Sequence, residues 1–179
     1  MHTLSRLQQI LSDQYPDIEL RAINTADFVM EERVRVKCFH CPCYNYKWTC
    51  PPRLANVNYS KLFSEYKHAA VVMLAYPLRE VGIVTEQENT DSANRLHHAM
   101  LALERELFKH NYPLAHSFIG CNCRLCVDGC PADKCARPYE ARSPWEATGV
   151  NVVETLKSIG VEVSFPPKSL LNRFGLILW

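Results

Sequence analysis

Apolar and polar positions alternate along this chain with two periods, and those periods divide it into helices and strands. Leu4, Leu7 and Leu11 recur on one helical face between Thr3, a capping residue type, and Pro16, which predicts a helix over 3–15. Ile18-Glu19-Leu20-Arg21-Ala22-Ile23 alternates in strand fashion, and Val34-Arg35-Val36-Lys37 repeats that pattern. A short helix is expected over 59–66 and a buried strand over 69–75. Thr85-Glu86-Gln87-Glu88 has capping-box form, and Leu96, Met100, Leu103 and Leu107 follow at helical spacing up to Lys109 and His110. Residues 115–120 form a short apolar strand. Ser143-Pro144-Trp145-Glu146 places a capping serine, a first-turn proline and a glutamate three residues after the cap, which predicts a helix start. Asn151 caps another helix ending at Gly160, and 161–165 and 175–179 read as closing strands around Pro166-Pro167. Strands and helices intermix without a repeat or a linker. The expected fold is α+β or α/β: a single domain over 1–179 with a mixed sheet, helices packed on it and two cysteine-rich loops.

The chemistry lies in those loops, where nine cysteines form two groups. The first starts Cys38-Phe39-His40-Cys41-Pro42-Cys43 and ends Trp48-Thr49-Cys50-Pro51-Pro52. Thiols two residues apart can chelate one metal centre, and loop N–H groups can bond to sulfur and tune its charge. Cys38, Cys41 and Cys50 are the stronger ligand candidates. Cys43 stands too near Cys41 for good joint chelation and is either a fourth ligand or a bystander. The second group runs from Cys121 to Cys135, five cysteines in fifteen residues. A ferredoxin-type run reads C-x2-C-x2-C-x3-C-P, and Cys123-x2-Cys126-x3-Cys130-Pro131-x3-Cys135 is a stretched relative of it.

Composition narrows the setting. A net charge of +1 gives no reason to invoke nucleic acid or an anionic membrane. The apolar run over 69–76 is far short of the roughly 20 residues a membrane span requires. The first residues hold no apolar signal core, so a reducing cytoplasm is expected, where clustered thiols bind metal or do redox work.

Taken together, the two motifs resemble a cysteine-rich "predicted metal-binding protein" family of mainly anaerobic bacteria and archaea, a domain of unknown function. Cys38, Cys41, Trp48, Cys50, Pro51 and Pro52 carry the first half of the likeness. Gly120, Cys123, Arg124, Leu125, Cys126, Cys130 and Cys135 carry the second, extended by Arg137, Pro138, Arg142, Glu146, Ala147, Gly149 and Val150. Membership implies metal or iron–sulfur binding without implying a reaction. Cys43 and Cys121 stand outside the family pattern, so replacing Cys121 by serine is expected to leave metal content intact.

Four-thiolate sites mean tetrahedral zinc or iron–sulfur. One zinc on Cys38, Cys41, Cys123 and Cys126 would leave five cysteines unemployed. Two [4Fe–4S] clusters use nearly all of them: Cys123, Cys126, Cys130 and Cys135 around one, and Cys38, Cys41 and Cys50 with Cys43 or another donor around the other. Cys135 or Cys50 can also cross between clusters, and a site with three cysteines leaves one iron open. Three functions follow. An electron carrier serving a redox partner protein comes first. An enzyme with an open-iron cluster and a small-molecule substrate is the alternative, with Lys47, His40, Arg137 and Glu140 as its non-cysteine groups. A structural-zinc interaction module is third. No serine-nucleophile motif, phosphate loop or dinucleotide fingerprint occurs in the sequence.

Overall fold

A computed structural model describes residues 2–179. In chain order the elements are α1 (His2–Gln14), β1 (Ile18–Ile23), α2 (Glu32–Phe39), α3 (Tyr59–Ser64), β2 (Ala69–Pro77), α4 (Glu86–Lys109), β3 (His116–Phe118), α5 (Val152–Ser158) and β4 (Leu170–Leu178). Four strands make one sheet in the order β1-β2-β4-β3, and every pairing in it is antiparallel. The fold is therefore α+β, with the sheet antiparallel rather than mixed. No helix is long and apolar enough to cross a membrane among the described residues.

The sheet is covered on both faces, which explains the unbroken apolar run of β2. Ala70, Val72 and Leu74 point to one side, where Leu7 and Leu11 of α1 and Leu96, Met100, Leu103 and Leu107 of α4 pack. Ala69 and Val71 point to the other, against Tyr59 and Phe63 of α3, Leu156 of α5 and the fully buried Trp145. The long helix starts as its sequence predicts. The Thr85 hydroxyl accepts from the Glu88 amide, and the Glu88 carboxylate accepts from the amides of Thr85 and Arg79. The Thr85 hydroxyl also donates to that carboxylate at 2.6 Å, and this bond is the largest cause holding the carboxyl down to about 2.

Three sequence expectations change. Residues 34–37 lie in helix α2, not in a strand: the segment has no sheet neighbour, none of its residues is buried, and Glu32 pairs with Arg35 at 3.5 Å across one turn. Residues 161–165 form no strand. Val161 and Val163 pack partly against the core, while Pro166 has no N–H to offer a ladder. The helix expected from Ser143 is a single 3-10 turn, Glu146–Thr148, closed by Gly149 at a φ of 102°. Its glutamate does not return to the cap. Its carboxylate is used elsewhere in the fold, by the Cys121 amide.

Candidate metal centre

The first cysteine loop is a chain of tight turns hung on the end of α2. Cys38 sits in the last turn of that helix. The Cys41 amide donates to the Cys38 carbonyl at 3.1 Å and the Tyr44 amide to Cys41 at 2.9 Å. Asn45, at a φ of 53°, reaches the Pro51 carbonyl at 2.8 Å and closes the loop. Within this scaffold the Cys43 amide donates to the Cys41 sulfur at 3.5 Å. Cys50 is buried, Cys38 and Cys43 are half-buried, and Cys41 is exposed.

The second loop is launched from β3. Ile119 bonds through its backbone to Ser143 and Trp145. Gly120 then passes so close to β4 that a Cβ there would meet the Phe174 carbonyl oxygen at 2.5 Å. Cys121 follows at a φ of 62°, and its amide donates to Oε1 of Glu146 at 2.8 Å. Beyond it the chain inserts the buried Cys123 and Leu125 into the core beside α4. Cys126 and Cys130 follow on the same loop, both half-buried. Cys135 follows, half-buried, on the same loop.

The two loops are joined. The Trp48 indole donates to the Pro131 carbonyl at 2.8 Å, and the Arg53 guanidinium stacks on the same ring at 4.0 Å. Gly129, at a φ of 82°, makes room for the Tyr46 hydroxyl, which would stand 2.6 Å from a Cβ. Trp48 is thus the tie between the cysteine groups.

A cavity of about 310 Å³ opens between the loops, and Cys38, Cys41, Cys43, Cys50, Cys121 and Glu146 line it. Five of the nine thiols share this one space. Cys121, which the sequence pattern leaves out, is among them, and so is Glu146, which the sequence assigns to a helix start. Oε2 of Glu146 is closed off from solvent and has no hydrogen-bond partner, and burial raises its carboxyl. Among the described residues no three His, Cys, Asp or Glu side chains converge tightly enough to grip a single ion.

Burial raises five of the thiols, Cys121 among them. Burial pushes Cys50 up to about 12, with Cys43 adding to the effect. Burial also raises Cys38, Cys43 and Cys123. Lys47 opposes the rise at both Cys43 and Cys123, so one cation faces both groups. Three arginines of the second loop region are already engaged. Arg124 pairs with Glu86, Arg137 with Glu140 at 3.1 Å, and Arg142 with Glu104. His97 is a core histidine whose Nε2 donates to the Glu140 carbonyl at 2.9 Å.

Beside the second group lies a more polar cleft of about 590 Å³, bordered by Lys47, Glu86, Thr90, Asn94, Arg124 and Cys126. Nε of Arg124 and Oδ1 of Asn94 are buried and carry no partner. His40, Arg137 and Glu140 border neither this cleft nor the thiol-lined cavity.

A family model described as "Predicted metal-binding protein (DUF2284)" matches residues 21–179. Comparison with curated proteins and with solved structures gave no match.

Proposed function

As this chain belongs to the DUF2284 family of predicted metal-binding proteins, we propose that each cysteine group holds a [4Fe–4S] cluster and that the protein moves electrons to a redox partner. The observation that carries this reading is the thiol-lined cavity. Its cysteines are spread around a space of about 310 Å³. In a cubane each thiolate binds its own iron, so the ligands surround an inorganic core. A structural zinc asks for four donors about 2.3 Å from a single point. The donor set also fits, being soft sulfur with an N–H donor already directed at Cys41.

Bound there, such clusters supply one-electron redox chemistry. The chain fixes the thiolates on two interlocked loops, shields Cys50 and Cys123 from water, and sets the local charge through Lys47. Ligation requires thiolates, so loading releases protons from the raised thiols. The test is reductive titration of anaerobically purified protein, followed by visible absorption and electron paramagnetic resonance. Reversible bleaching with a paramagnetic reduced state is expected. A chain that accepts no electrons from dithionite contradicts the carrier reading.

An open-iron enzyme is the second reading, favoured by the polar cleft at Cys126 with its unmet donor and acceptor on Arg124 and Asn94. Cyanide or acetate should then shift the spectrum of one cluster. A carrier with closed clusters leaves the spectrum unchanged.

A further inference from the structure

We infer that Cys121 crosses to the first centre as its fourth thiolate, beside Cys38, Cys41 and Cys50, and that the step Cys121-Asn122-Cys123 thereby joins the two centres. This rests on the cluster reading above. The cavity offers five thiols where a cubane takes about four. One is surplus, and the geometry decides between Cys43 and Cys121. The Cys43 amide donates to the Cys41 sulfur at 3.5 Å, so Cys43 is committed to Cys41 through its backbone, two residues along the same turn. Cubane thiolates sit on different irons at separate corners, and with one residue between them Cys41 and Cys43 are poorly spaced to reach two of those corners. Cys43 is then the surplus thiol, and its part is the N–H···S bond that tunes Cys41.

Cys121 reaches the same cavity from the second loop, and the fold holds it there in a conformation few side chains adopt. Its φ of 62° is left-handed, a region in which a residue other than glycine is uncommon. Two contacts fix it. Glu146 accepts from its amide at 2.8 Å, and Gly120 immediately before it is pressed on the Phe174 carbonyl. Strain that the surroundings enforce in this way concentrates at functional sites. Beside it, Oε2 of Glu146 is enclosed without a partner, so the wall presents polar capacity that the protein itself does not meet.

Cys123 belongs to the second group. Two residues of extended chain span at most about 7 Å, so ligands to the two centres are separated by one short covalent path. That proximity suits direct electron exchange between the centres. It also predicts a magnetic interaction when both are reduced.

The test compares anaerobic wild type, Cys121→Ala and Cys43→Ala by iron and sulfide content and by electron paramagnetic resonance after dithionite. Cys43→Ala should keep about eight irons per chain, whereas Cys121→Ala should drop to about four and lose the broadening from interacting clusters. Adding 2-mercaptoethanol during anaerobic reconstitution of Cys121→Ala should restore the missing iron, which separates a lost ligand from a lost fold. Full iron with an unaltered spectrum in Cys121→Ala overturns this assignment and leaves the cluster reading standing. Wild type without iron and sulfide overturns the cluster reading and this inference with it.

Discussion

Glu146 shows how one side chain can fit a local rule and serve a distant purpose. Its position after Ser143 and Pro144 satisfies a capping pattern, yet its carboxylate accepts from Cys121, 25 residues earlier in the chain. A sequence pattern reads neighbours along the chain, so that bond and the place of Cys121 in the cavity were not legible. The spacing of Cys38, Cys41 and Cys50 was legible, because chelation by a turn is local. His97 is a buried histidine on α4. Burial lowers it to about 4, the nearby charge of Arg142 adds to that, and the bond to Glu140 opposes it. The unfolded imidazole titrates near 6.5, so between the two values only the unfolded chain binds the proton. Stability is therefore full above about pH 6.5 and falls by about 2–3 kcal/mol as the pH drops to 4. His116, also lowered by burial, acts in the same direction. Urea denaturation of wild type and His97→Gln between pH 7 and 5 should show a shallower loss in the variant, and equal slopes would refute the assignment.

Elements with strong periodicity were readable, and short exposed ones were not. The capped α4 and the apolar β2 appear where the pattern places them. Residues 34–37 alternate like a strand but form α2, because four residues cannot outweigh the lack of a sheet edge to pair with. Loop-to-loop ties have no sequence period at all. Trp48 was readable as a motif residue, but not its bond to Pro131. Trp48→Phe keeps the ring and loses that hydrogen bond, which should cost about 1 kcal/mol. In the metal-free protein it should speed proteolytic cleavage within 126–135. Unchanged cleavage would show that the loops are held together in some other way.

At the scale of the molecule, the sheet delivers the second loop to the first, which hangs on α2. β3 pairs with β4 from Leu178 toward Leu176, and the chain leaves across Phe174 straight into the second group. Arg142 secures the loop's far end. It pairs with Glu104 of α4, whose carboxylate also accepts from the Ser117 amide of β3 at 2.7 Å. Burial would raise Glu104, but Arg142 and Ser117 outweigh it and hold the carboxyl low. Removing one partner of such an enclosed pair leaves a charge uncompensated, so Arg142→Ala should lose about 3 kcal/mol in urea denaturation. A loss under about 0.5 kcal/mol would mark the pair as peripheral. Iron, zinc and acid-labile sulfide per chain, measured on anaerobically purified protein, test most directly what the cysteine groups hold. About eight iron and eight sulfide per chain are predicted for two cubanes. About one or two zinc with no sulfide would contradict the presence of clusters.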